Sequence, residues 1–470
     1  MYGRLKKNFA LRGWKASPHG LVDTDSGQTM LLDKIAFQAA SFCDGRTPLS
    51  SPFLLKAHRE IIDKFIEHGI ADKCAEGREI SAYQKYRKAD ARFAAMVHWS
   101  ITGKCNLRCR HCFMSAPQAK YGELTTDQCL RIVDQIADAN IPKVSLTGGE
   151  PLVRKDFWRI VDALLDKRIY ISHIYTNGVL MDDAFLEKLK SRGIDCKIVL
   201  SFDGCDTHDW VRGVPGAEKT AVESIQRAVR HGYCVSVETA LYAGNLSRLI
   251  PTYALLKSLG VSSWKVSPMV GVGNWLKEKK VHDIPTDSLY EAYIALAKLH
   301  QAQGAPLEMM LSGLYYCDKG SDKYVIPMIK GGGSDRALRQ RICLSCRLNL
   351  YIMADGKLLP CIPMTGTPVE KKMPNLMETS IGAAMNASKY YDLINTRLEK
   401  FLSENSECFN CEHKFRCGAG CRAAAMGDSG DYFGKDLGSC HFFKNGYEEK
   451  LNNALGRKGA PGHPFGFGAP

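Results

Sequence analysis

The chain has 470 residues, of which 45% are apolar, 24% charged and 9% aromatic. These are the proportions of an ordinary globular protein of about two to four domains, and they exclude a disordered, collagen-like or coiled-coil chain. The formal charge of +13 fits a solvated basic surface, a nucleic acid or an acidic peptide partner, and by itself selects none of them. No uncharged apolar run reaches the roughly 18 residues a spanning helix needs. The opening Met1–Lys15 carries five Lys/Arg without an apolar core, unlike a secretory signal. The expectation is a cytoplasmic protein with no membrane partner.

Residues 1–75 read as a separate module. Leu21-Val22 and Gln28–Leu32 make two short strands around the turn Thr24-Asp25-Ser26-Gly27. Asp33 caps a helix with Ile35, Ala36, Ala39, Ala40 and Cys43 on one face, ended by Asp44-Gly45. A second helix follows Pro52, with Leu54, Leu55, Ile61, Ile62, Phe65 and Ile66 at helical spacing, and stops at Gly69. The order predicts a compact winged-helix-like unit, followed by a polar linker over 76–94.

From 95 to 275 the pattern becomes strand–helix alternation. Strands are predicted at Ala95–Ile101, Lys143–Thr147, Tyr170–Thr176, Lys197–Phe202, Cys234–Thr239 and Ser263–Ser267. Amphipathic helices fall between them at Thr126–Ala139, Phe157–Lys167, Asp182–Arg192, Thr220–His231 and Leu246–Leu259. Six such repeats predict an α/β fold with a parallel sheet, open or a partial (β/α)6 barrel, with chemistry at the C-terminal strand ends. Residues 276–340 read as a mixed helical connector ending in Gly331-Gly332-Gly333. Residues 341–446 are rich in Cys, Gly and turn residues, a composition that needs metal to cohere. Residues 447–470 read as a partly disordered tail.

The 18 cysteines are too sparse for a disulfide scaffold in a chain of this length, and their clustering reads as metal ligation. Cys105-x3-Cys109-x2-Cys112 follows the first strand. Three thiolates without a fourth make an awkward zinc site, whereas on an iron–sulfur cube they leave one iron open. This triad in this place resembles the signature of the radical S-adenosylmethionine (SAM) superfamily, although His111 stands where many members carry an aromatic. The resemblance implies SAM chelated at the open iron and a 5′-deoxyadenosyl radical that abstracts hydrogen from a substrate.

It also implies a SAM pocket lined by Gly148-Gly149-Glu150-Pro151, Thr176-Asn177-Gly178 and Ser201-Phe202-Asp203-Gly204. The glycines would let the backbone approach a ligand, and Glu150 or a backbone carbonyl would take the methionine ammonium. His208-Asp209-x2-Arg212-Gly213 completes a stretch like that of SPASM-type enzymes. Arg212 is a candidate for a SAM or substrate carboxylate, or for a structural salt bridge; Glu238 is a candidate for the ribose.

A second set runs Cys343-x2-Cys346, Cys361, Cys408-x2-Cys411-x5-Cys417-x3-Cys421 and Cys440. From Cys346 onward it resembles the SPASM pattern. The resemblance implies two auxiliary 4Fe-4S clusters, three in all, with Cys343, Cys346, Cys361 and Cys421 on one and Cys408, Cys411, Cys417 and Cys440 on the other. A zinc ribbon over residues 408–421 is the competing reading. Of the remaining cysteines, Cys43, Cys129 and Cys234 read as buried packing. Cys317 is either a loop thiol or a hydrogen donor at the barrel mouth, as in peptide epimerases of the superfamily.

Leu21-Val22-Asp23, Gly27-Gln28, Asp33, Cys43-Asp44-Gly45 and Gly69-Ile70 resemble the leader-recognition module of ribosomal-peptide maturases. That favours a precursor peptide over DNA as partner, held at a strand edge. Together these resemblances imply a peptide maturase installing a thioether, a carbon–carbon cross-link or an epimerised residue, served by a low-potential donor such as flavodoxin or ferredoxin. The rivals are a sulfatase-type maturase oxidising Cys or Ser, and a non-catalytic iron–sulfur or zinc carrier.

Overall fold

The alternation of short apolar strands with amphipathic helices places one parallel sheet at the centre of the computed structural model, which describes residues 1–116, 118–330 and 334–462. Strands Met96–Ser100, Lys143–Thr147, Tyr170–Thr176, Lys197–Ser201, Val235–Leu241 and Ser263–Pro268 pair in that order, all parallel. Their interiors (Val144, Leu146, Ile174, Leu200) are fully buried because helices cover them. The helix Phe157–Asp166, for example, presents Phe157, Ile160, Val161 and Leu164 to the core, each worth about 2 kcal/mol of burial. Thr125 starts the helix Thr126–Asp138 with a reciprocal cap, its side chain accepting from Gln128 N.

The sheet is wider than six strands. Glu308–Leu311 adds a seventh parallel strand beside Ser263–Pro268. It follows the helix Thr286–Ala302, so the connector contributes a further helix–strand unit. Asn349–Ile352, from the cysteine-rich segment, runs parallel to Met96–Ser100 at the opposite side. Antiparallel Tyr315–Cys317 and Leu358–Leu359 extend the two flanks. Gly331-Gly332-Gly333 lies outside the described residues, as does 463–470 of the expected tail, whereas Ala460 and Pro461 pair with Val325 and Ile326.

In the N-terminal region the hairpin forms between Ser17–Asp23 and Gln28–Leu31, with Asp23 opposite Gln28. Phe9–Trp14 joins it on the other side. Asp33 caps Lys34–Phe42 through Ala36 N, and Lys56–Glu67 follows. Tyr2–Leu5 pairs with both Asp44–Pro48 and Ala71–Cys74 in a second small sheet. The stretch expected to be a linker is packed: buried Gln84 donates to the carbonyls of Leu5, Lys6 and Phe9, and Arg87–Lys88 pairs with Phe9–Trp14. One buried amide reaches three carbonyls, which a loose tether does not do.

This region docks at the N-terminal ends of the large sheet's strands. The Trp14 indole donates to Ala139 O at 3.0 Å, Asn140 Nδ2 to Gly13 O at 3.1 Å, and a Cβ at Gly27 would sit 2.6 Å from that of Lys143.

Candidate functional site

At the opposite, C-terminal ends of the strands, the loop carrying the triad leans directly on the next strand's exit. Gly149 N donates to Thr102 O and Glu150 N to Lys104 O, both at 2.8 Å. Glycine is required here. A Cβ at Gly149 would lie 2.1 Å from Lys104 O, and one at Gly148, whose φ is +154°, 2.5 Å from Thr102 O. The close approach these two glycines permit is therefore made by the triad loop.

Glu150 differs from expectation. It is fully buried and its carboxylate accepts from Leu152 N, Thr176 Oγ1 and Asn177 N at 3.1, 2.9 and 2.7 Å. The carboxylate braces two strand ends, so the side chain is not the ammonium ligand and any such contact falls to the backbone. Burial pushes its pKa up to about 7 against those three donors. Pro151 opens the short turn Pro151–Val153 that holds it.

Each triad sulfur faces a nitrogen donor: Leu107 N to Cys105 at 3.4 Å, Arg212 Nη1 to Cys109 at 3.7 Å and Ala116 N to Cys112 at 3.4 Å. Asn177 Nδ2 reaches Cys105 at 3.9 Å and Asn106 Oδ1 at 2.7 Å. Burial pushes the Cys105 thiol up to about 12 and raises Cys112, so anionic sulfur here needs a positive partner. Donor-facing sulfurs grouped in one loop fit an iron–sulfur cluster, which supplies that charge.

The triad opens on a cavity of about 430 Å³ whose wall includes Gly148, Gly149, Asn177, Ser201, Arg212 and Glu238. Sequence reasoning missed Tyr175, Lys265 and Met269 in this wall. Lys265 is the register partner of Glu238 and pairs with it at 2.9 Å; polar residues at neighbouring strand exits were the available signal. Arg212 is paired at 2.7 Å with the fully buried Asp203, which realises the structural salt bridge of the two readings.

Cys317 lies elsewhere. It pairs with Met309 near the start of its neighbouring strand, is 1% exposed and accepts from Gln301 Nε2 at 3.0 Å. An antiparallel return from the mouth carries it back toward the N-terminal strand ends, so it is not a donor at the mouth. Cys43 and Cys129 are buried, but Cys234 is exposed because it precedes the strand it was assigned to.

The eight C-terminal cysteines gather in two groups. Cys343 donates to the Cys346 sulfur at 3.3 Å; against that bond, Cys361, burial and the charge of Cys421 hold the Cys346 thiol well above the ordinary range. Cys408, Cys411, Cys417 and Cys440 line one small cavity of about 40 Å³. Burial pushes the Cys417 thiol up to about 12 against the pull of Lys330, with Asp436, Cys440 and Cys408 adding to the rise. Lys330 links the groups: its amide donates to Arg416 O at 2.8 Å and its ammonium to Ile342 O at 3.1 Å and to Gly420 O. Among the described residues no three His, Cys, Asp or Glu side chains converge tightly enough to hold a single metal ion.

Residues 99–246 match the family model described as the Radical SAM superfamily. The chain is 27% identical over 346 residues to an AdoMet-dependent heme synthase of Methanosarcina barkeri, covering 72% of this chain and 93% of that protein. It is 26% identical over 336 residues to a PqqA peptide cyclase of Granulibacter bethesdensis, covering 70% and 83%. Among solved structures it is similar to Streptococcus suis SuiB bound to the precursor peptide SuiA, with a TM-score of 0.64 at 16% identity over 93% of this chain and 99% of that one. At that identity the likeness is one of fold.

Proposed function

We propose that the chain, whose residues 99–246 match the Radical SAM superfamily model, is an enzyme of that kind that modifies a ribosomally made precursor peptide, joining two side chains through a thioether or carbon–carbon bond. When bound, SAM on a 4Fe-4S cluster supplies a 5′-deoxyadenosyl radical, which takes a hydrogen atom from the substrate. The protein's part is placement. Cys105, Cys109 and Cys112 hold the cluster, the Gly148-Gly149 turn seats the triad loop, and Asn177, Ser201 and Glu238 stand around the cavity where SAM and a substrate side chain meet.

The observation that carries the peptide reading is the free sheet edge of the N-terminal region. Gln28–Leu31 ends its sheet, and Met30 and Ile35 beside it are 39% and 44% exposed. An extended leader can add a strand there and bury both side chains. The region docks at the far end of the strands from the cavity, so a leader held there needs a spacer. A strand of five residues is roughly 17 Å long, and spanning it takes at least about five extended residues.

A tetrapyrrole substrate is the second reading, favoured by the heme synthase relative. Its carboxylates would need free cations, yet among the described wall residues Arg212 is paired with Asp203 and Lys265 with Glu238. Two auxiliary 4Fe-4S clusters fit the two groups of four cysteines. A zinc ribbon fits less well, because one zinc draws four sulfurs onto a single ion whereas a cube gives each cysteine its own iron. With Cys317 away from the mouth, epimerisation has lost the thiol assigned to it.

The test is anaerobic reaction of the reconstituted chain with SAM, reductant and a candidate precursor peptide, read by mass spectrometry. Loss of two hydrogens from the peptide, traced by fragmentation to a bond between two residues and accompanied by 5′-deoxyadenosine, supports cross-linking. Unchanged mass with deuterium uptake from heavy water indicates epimerisation, oxidation of a single Cys or Ser indicates the sulfatase-type rival, and absence of deoxyadenosine indicates a carrier.

A further inference from the structure

The fully buried Asp203 carboxylate and the Arg212 guanidinium form an ion pair whose other end touches a triad sulfur, Cys109. The geometry points to Arg212 as a positioning residue that sets the charge balance at the Cys109 sulfur, and hence the reduction potential of the triad's cluster, instead of binding the SAM carboxylate.

Three observations carry this. The guanidinium is already engaged, with Nε 2.7 Å from Asp203 Oδ2 and Nη1 3.7 Å from Cys109 Sγ. Its position is fixed relative to the triad: Arg110 N donates to Val211 O at 2.9 Å, and Gly213, at φ +69°, passes so close that a Cβ would lie 2.9 Å from Arg108 O. Asp203 is in turn fixed by Ala240 N donating to Oδ1 at 3.0 Å.

Two histidines and Tyr242 also neighbour the pair. His208 Nδ1 lies 2.9 Å from the Asp203 amide nitrogen and 3.3 Å from Asp203 Oδ2. His111 lines the same cavity wall as Cys109 and Arg212. The Asp203–Arg212 ion pair is the charged pair in contact with Cys109. A cation hydrogen-bonded to a ligand sulfur favours the more negative, reduced cluster and raises its potential; hydrogen bonds and net charge are the protein's main means of adjusting such sites. The carboxylate behind it moderates the effect.

The test is an EPR-monitored redox titration of the reconstituted full chain without SAM, taking the signal that responds when SAM is added afterwards. Arg212→Gln is expected to lower the midpoint, Arg212→Lys to lower it less, and Asp203→Asn to raise it. SAM affinity of Arg212→Lys should stay within about tenfold of the parent. An unchanged SAM-free midpoint in Arg212→Gln overturns the inference, as does a larger loss of SAM affinity without a shift in midpoint, which would make Arg212 a SAM ligand. If Arg212→Gln does not assemble its cluster, the other two variants decide: shifts of opposite sign support the inference, and no shift or shifts of one sign overturn it.

Discussion

Two cysteine-bearing regions of this chain are built on opposite principles. The triad loop is short and lies on the exits of buried parallel strands, pinned by backbone hydrogen bonds at Thr102 and Lys104. Four of the C-terminal cysteines sit on or beside helices of four or five residues, Ser406–Phe409, Lys414–Cys417 and Leu344–Leu348, near a small core of Met364, Phe401 and Leu402. Helices that short do not persist on their own. The sheet thus pre-forms the first site, whereas the second region depends on whatever its cysteines bind.

The largest expected effect follows from that dependence. Chelating iron from the reconstituted protein should raise hydrogen exchange and proteolysis across residues 405–440 while leaving the strands 143–147, 170–176 and 197–201 protected. Uniform loosening, or none, would break the contrast.

Cysteine replacement sharpens it. Replacing Cys105, Cys109 and Cys112 together by Ala should abolish deoxyadenosine formation and remove about four irons per chain, with little change in melting temperature. Cys408→Ala with Cys440→Ala should also remove about four irons and lower the melting temperature, while deoxyadenosine still forms. Iron counting, calorimetry and product assay on the same preparations read all three quantities.

The pinned loop offers a smaller test. Gly149→Ala places a Cβ 2.1 Å from Lys104 O, and the backbone must shift at a cost of about 1–3 kcal/mol. Iron bound at the triad should fall while the auxiliary iron stays, as seen by EPR in the presence and absence of SAM.

Glu150 gives the same strand exit a pH signature. Its pKa is about 7 in the fold against an ordinary 4.5, so the native state holds a proton that the unfolded chain has released. Its stabilising contribution is therefore complete below about pH 4.5 and is lost as pH rises to about 7. Glu150→Gln removes that slope, and by facing its amide donors toward Asn177 N should cost about 1–3 kcal/mol at low pH. Denaturant melts between pH 4.5 and 8 should show the gap between the two proteins narrowing as pH rises.

Much of this was legible in the sequence where periodicity and chain order carried it. The strands Lys143–Thr147 and Tyr170–Thr176 fall on their expected bounds, since alternating helices and apolar runs leave few alternatives. Glu308–Leu311 was missed because Glu-Met-Met-Leu lacks the β-branched signature of a strand and is set by its neighbour Ser263–Pro268. Asn349–Ile352 was hidden among cysteines. The role of Glu150 was not readable, because its three donors come from its own turn and from the end of the neighbouring strand Tyr170–Thr176, and Cys317 was misplaced because a three-residue antiparallel return leaves no trace in hydrophobic pattern.

The gentlest test concerns the N-terminal edge, outside both cysteine-bearing regions. Ile35→Glu puts a charge where an incoming strand would bury an apolar contact, at a helix start already exposed to solvent, so folding should be unaffected. If the leader docks there, precursor affinity should fall by about tenfold, the cost of losing one anchoring side chain. Iron content and peptide-independent SAM cleavage should be unchanged, because the region contacts the N-terminal strand ends and not the cavity. Fluorescence anisotropy with a labelled precursor reads the affinity. An unaltered value would move the leader off this edge and onto the mouth of the sheet, where the triad and the peptide would share one surface.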